Sequence, residues 1–165
     1  MSRRGWVVAG VLAVAAVVIA LVLWPSSRPE LDADRAERIV LYSLDPRGPH
    51  DTRPLVTGEP LYDHQVLGSV EVTDPDCRRE LIEALQDGIS QGDAQYACFW
   101  PRHVLRIERD GRTFDYVICF QCRNYERHVS GDPRSSGTRS ISEHVQPIFN
   151  KVLEEAGVPI FPKWP

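Results

Sequence analysis

The residues able to do chemistry gather in two short phrases, Cys98-Phe99-Trp100-Pro101-Arg102-His103 and Ile118-Cys119-Phe120-Gln121-Cys122, while the fourth cysteine, Cys77, stands apart. Three kinds of chemistry suit these residue types. The first is a structural disulfide among Cys98, Cys119 and Cys122. Asp110-Gly111 between two alternating runs predicts a two-residue hairpin turn, because both positions need positive φ. With residues 109 and 112 flanking the turn, opposed positions sum to 221, so Cys98 falls opposite 123, beside Cys122 and a short step from Cys119. Four cysteines allow three connectivities, and Cys77 is the one placed to stay free.

The second chemistry is a metal site. Cys98, His103, Cys119 and Cys122 form a Cys₃His set whose thiolate and imidazole donors suit zinc. Against it, residues three apart on a continuous strand point to opposite faces, so Cys119 and Cys122 converge only where the strand breaks. Phe120-Gln121 supplies no Gly or Pro for such a break. The third chemistry is thiol catalysis, either redox at Cys119/Cys122 or a hydrolase with Cys98 as nucleophile and His103 as base. A redox pair gains its lowered thiol pKa from a helix N-terminus, and this pair ends a strand. No third group is assignable to orient His103. The order of preference is a disulfide or buried thiols with no cofactor, then zinc, then catalysis.

Arg102 is a charged residue inside an apolar phrase. It either packs its stem at a sheet edge or reaches an anion or carboxylate. His64, His128 and His144 are isolated in sequence and read as surface residues, and Trp100 and Trp164 as core or exposed anchors. There is no Walker loop, no G-x-G-x-x-G, no G-x-S-x-G and no H-E-x-x-H.

The paired C-F-x-P-R-H and C-F-x-C phrases, with the Asp110-Gly111 hairpin between them, resemble a family of small membrane-anchored or exported bacterial proteins. The resemblance spans about residues 60–160, a domain-sized stretch. It implies that the two phrases go together, and it implies no activity.

The elements that must position these phrases follow from pattern. Arg38 to Ser43 is β-branched and aromatic, a first strand. Residues 44–65 hold Pro46, Pro49, Pro54, Pro60, Gly48 and Gly58, a density of breakers that predicts a long loop. Gln65 to Val72 alternates as a second strand. Asp74 and Pro75 open a helix whose Leu81, Ile82, Leu85 and Ile89 share one face, with Gly92 at its end. His103–Arg109 and Arg112–Phe120 form the hairpin, and residues 129–140 a polar loop. Val145, Ile148, Phe149, Val152, Leu153 and Ala156 form one stripe of a last helix, with Pro147 near its start and Gly157 as its cap. The order β-loop-β-α-β-β-α predicts an α+β domain, a small antiparallel sheet with two amphipathic helices on one face.

The segment Trp6 to Trp24 is 19 residues without charge, amide or hydroxyl. At about 1.5 Å per residue it matches the ~30 Å hydrocarbon core, with a tryptophan at each interface. A cleavable signal needs a shorter core and a small-x-small site outside it, and the sites at Val14-Ala15-Ala16 and Val18-Ile19-Ala20 lie inside the run. The short tail with Arg3 and Arg4 places the N-terminus in the cytoplasm and the C-terminal domain outside, although Arg28, Arg35 and Arg38 nearly balance it. Secretion after cleavage is the alternative. The whole chain carries −4, which opposes a nucleic-acid binder. Beyond residue 24 stand 17 basic against 23 acidic residues, a net of −6 that holds the domain off an anionic membrane surface.

The resulting organisation is a basic tail at 1–5, a transmembrane helix at 6–24, a linker at 25–37, an α+β domain at 38–160 and an extended tail at 161–165. The expected role is a non-enzymatic binding or assembly module of the cell envelope. Its partners would be the lipid bilayer through residues 6–24 and an envelope protein or small ligand, with no nucleic acid.

Overall fold

The computed structural model describes residues 31–47, 59–134 and 137–162. The N-terminal tail, the apolar segment 6–24 and its orientation, the start of the linker, half of the proline-rich loop (residues 48–58) and Trp164 lie outside them. Among the described residues, no helix is long and apolar enough to cross a membrane.

The Asp110-Gly111 turn sets the register of the sheet. Its two residues have φ of 51° and 67°, which Gly111 takes at no steric cost. Strands β3 (His103–Arg109) and β4 (Arg112–Cys119) therefore pair from Arg109↔Arg112 to His103↔Ile118, every pair summing to 221 as expected. β1 (Arg38–Asp45) lies between β3 and β2 (Gln65–Glu71), antiparallel to both, with its ladder to β2 shifted between Ser43 and Leu44.

Two further strands extend the sheet where the sequence suggested none. β5 (Asn124–Val129) pairs with β4, and β6 (Thr138–Ser140) pairs with β5. The polar loop expected at 129–140 is therefore corrected at its C-terminal end. Glu126, Arg127 and His128 hide the alternation of β5, and its ladder to β4, not its own hydropathy, makes it a strand. The sheet has six antiparallel strands in the order β2-β1-β3-β4-β5-β6.

Two helices cover one face, which makes the architecture α+β. In α1 (Pro75–Ser90) the Asp74 carboxylate accepts from the Cys77 amide at 2.8 Å, with Pro75 in the first turn. Leu81, Ile82, Ala84 and Leu85 turn inward. Gly88 is needed there, since a Cβ would meet Val145 Cγ2 at 2.8 Å. A 3₁₀ turn (Glu143–Val145) leads into α2 (Gln146–Glu155), which buries Phe149, Val152 and Leu153. These side chains meet Ile39, Leu41, Leu105, Ile107, Tyr116, Ile118, Phe120 and Tyr125 in the main core. The opposite face carries a smaller cluster of Leu44, Val104 and Val117 with Phe99, Leu61 and Tyr62 against it.

Candidate functional site

The period of two along β3 and β4 sends neighbouring residues to opposite faces. His103, opposite Ile118, faces the helices. Its ring is buried against Phe120 and Phe149, and its Nε2 lies 2.9 Å from Asn150 Oδ1. Burial, aided by the charge of Arg102 and opposed by the hydrogen bond to Asn150, holds its pKa down at about 4. Cys119 belongs to the other face, with Val104, Val117 and the Arg106–Asp115 pair, while Arg102 stands just before β3.

Just beyond the hairpin's far end the strand does break between Cys119 and Cys122. The expected obstacle, a segment without Gly or Pro, is overcome by Arg123, which takes φ 55° itself. Its amide donates to the Phe120 carbonyl at 3.1 Å, closing a tight turn. Within that turn the Cys122 amide donates to Cys119 Sγ, 3.1 Å between N and S. The Trp100 amide also supports Cys119.

Cys98 arrives from the segment before β3, and buried Asn124 is what holds it there. Asn124 Nδ2 donates to the carbonyls of Tyr96 (3.0 Å) and Cys98 (2.8 Å), while the Tyr96 amide donates to the Cys122 carbonyl (2.9 Å). Cys98 and Cys122 line the same cleft, and the three sulfurs lie near enough to shift one another's pKa. Cys119 and Cys122 are buried, whereas Cys98 is half-buried and lines a cleft of about 350 Å³ with Trp100, Gln121 and Cys122. Burial pushes all three thiols above their ordinary pKa.

The structure thus brings together Cys98, Cys119 and Cys122, all as free thiols, and sends His103 to the opposite face. It joins His103 neither to the three sulfurs as a fourth ligand nor to Cys98 as a base. Among the described residues, no group of three or more His, Cys, Asp or Glu is arranged to hold a metal ion. Cys77 sits half-buried on α1, away from the cluster.

Arg102 is the second feature of the site. It is 4% exposed, donates from Nη2 to Gln121 Oε1 at 2.8 Å, and lies 5.8 Å from the Phe161 ring centroid. No carboxylate among the described residues pairs with it, and its Nε is buried without a partner. Burial pushes its pKa below the ordinary arginine value, opposed by the neighbouring Cys119 and Cys122 sulfurs. It lines a groove of about 650 Å³ formed with Glu143 of the 3₁₀ turn, with Gln146, Pro147, Asn150 and Glu154 along α2, and with Ile160, Phe161 and Pro162 beyond it.

Sequence reasoning missed Asn124, Gln121, Asn150 and Phe161, since an amide or ring far away in the chain carries no local sign of what it will clamp. The histidines read as surface residues divide. His144 pairs with Asp87 at 2.6 Å in the open, whereas His128 stacks on Tyr62 at 4.3 Å between centroids. Trp100 is exposed. No family model matches the chain, and neither a curated protein nor a solved structure matches it.

Proposed function

We propose that the chain is an envelope-facing binding module, anchored by residues 6–24 with its N-terminus in the cytoplasm and its α+β domain outside, and that Arg102 is its anion contact. The observation that carries the reading is Arg102 itself. A buried guanidinium whose partners among the described residues are an amide and a ring is costly, and an incoming carboxylate would relieve that cost through charge-assisted hydrogen bonds. The groove it lines is of ligand size and has an apolar wall of Pro147, Ile160, Phe161 and Pro162. Glu143 and Glu154 on the same groove would repel a second negative charge and attract a positive one. The ligand class that fits both ends is a short peptide or similar molecule with a carboxylate for Arg102 and a cationic group beyond it.

Support for the anchor comes from the uninterrupted apolar run, its flanking tryptophans and the basic tail before it. A tether needs no catalysis to be useful, because it raises the effective concentration of the domain at the membrane.

The test is calorimetric titration of the full chain in detergent with lysine-containing tripeptides, in free-carboxylate and C-terminally amidated forms. The free-carboxylate form is expected to bind at least about tenfold more tightly, and Arg102→Leu to remove that preference. Equal affinity for the two forms, or no binding of either, would overturn the assignment.

A further inference from the structure

The three-thiol cluster adjoins Arg102 through Gln121 and the Cys119 and Cys122 sulfurs, but its chemistry does not rest on a ligand in the Arg102 groove. We propose that Cys98, Cys119 and Cys122 form a thiol–disulfide exchange site in which Cys122 is the shared sulfur, bonding first to Cys98 and then to Cys119. The substrate class is an external disulfide, RSSR.

The geometry orders the steps. Cys98 lines the open cleft with Trp100 and Gln121, so it meets the external disulfide first. Its thiolate attacks one sulfur of RSSR, forming Cys98–S–S–R and releasing RS⁻. Cys122, which lines the same cleft as Cys98, attacks the Cys98 sulfur next, forming Cys98–Cys122 and releasing the second RS⁻. Cys119 then attacks the Cys122 sulfur, leaving Cys119–Cys122 as the bond and Cys98 as a free thiolate that takes a proton from water. In total two chain thiols lose two electrons and two protons, and one RSSR becomes two RSH.

Two features of the fold favour the last transfer. Cys119 Sγ already accepts the Cys122 amide, so the negative charge of its thiolate has a fixed donor. The tight turn closed by Arg123 keeps Cys119 and Cys122 within bonding reach, while Asn124 holds the Cys98 strap by its carbonyls. Burial of Cys119 makes the final bond the one least open to attack from outside.

The experiment uses the full chain in detergent, fully reduced and then mixed with oxidised glutathione or with a disulfide-bonded peptide. Samples are acid-quenched at intervals, alkylated and peptide-mapped by mass spectrometry. The expected order is a mixed disulfide on Cys98, then Cys98–Cys122, then Cys119–Cys122, with two external thiols released per chain. Whichever probe reacts faster identifies the source of the disulfide. Cys122→Ser should stop at the mixed disulfide, Cys119→Ser should stop at Cys98–Cys122, and Cys98→Ser should slow oxidation by at least about tenfold. The wild-type time course decides even where a variant misfolds, and Cys77 serves as the internal control. The proposal is overturned by a first intramolecular bond between Cys98 and Cys119, by bond closure without Cys122, or by no reaction. Stoichiometric zinc uptake that shields these three thiols from alkylation would overturn it in favour of a thiolate metal site.

Discussion

Arg106 and Arg102 lie four residues apart, one within β3 and one just before it, and they live in opposite circumstances. Arg106 stands directly across from Asp115, and the two form a bidentate pair at 2.8 and 2.6 Å. Tyr62 donates to the same carboxylate at 2.6 Å, and the Tyr42 ring lies 5.3 Å below the guanidinium. The ladder ends at His103↔Ile118, and just before it the Arg102 amide donates to the Ile118 carbonyl at 3.1 Å; where Arg106 has a carboxylate across from it, Arg102 has the Cys119 and Cys122 sulfurs nearby. Both arginines lose water, yet only Arg106 regains a full set of partners. A charge satisfied inside the fold acts as structure, and one left short acts as a site.

The largest expected effect breaks the satisfied side. Asp115→Ala leaves Arg106 and the Tyr62 hydroxyl without their acceptor and should cost about 3 kcal/mol, the low end for a buried pair because Arg106 keeps some solvent. Urea unfolding at constant m-value measures it, and a loss under about 1 kcal/mol would mean that the network is ornamental.

Next in size is an effect just behind Arg102, at His103. Its native pKa of about 4 lies below the ordinary 6.5, so between those values the unfolded chain binds a proton that the native chain refuses. Stability is therefore intact above pH 6.5 and falls as pH drops towards 4, by about 3 kcal/mol for a shift of this size. His103→Gln should flatten that part of the pH–stability curve. Arg102→Leu should flatten it partly, since the charge of Arg102 helps keep the ring neutral.

The smallest effect sharpens the contrast. Arg102→Leu removes an underpaired buried charge and should change stability by less than about 1 kcal/mol, in either direction. A loss as large as that at Asp115 would show Arg102 to be a structural residue and would remove the basis for an anion site.

Much of the scaffold was legible in the chain. Asp110-Gly111 announced the hairpin and its register, and the stripes of α1 and α2 announced the buried faces, because turn chemistry and periodicity are local. β5 and β6 were not legible. Their pairing comes from neighbours in the sheet, and Glu126, Arg127 and His128 mask the alternation. The site was less legible. Register arithmetic pointed Cys98 towards Cys122, and the two line one cleft, but the ladder ends at His103↔Ile118 and Asn124 holds Cys98; nor could counting show that Arg123 would take a left-handed turn and draw Cys119 and Cys122 together.

Sequence by itself determined the antiparallel hairpin, the helical faces and the apolar segment 6–24, all properties of neighbours along the chain. The tertiary structure alone decided that His103 turns away from the cysteines, that Asn124 draws Cys98 onto the turn, and that Arg102 is buried beside a thiol rather than a carboxylate. The physical reason is that burial and partnership depend on which distant residues fill the space around a group. No pattern along the chain records that.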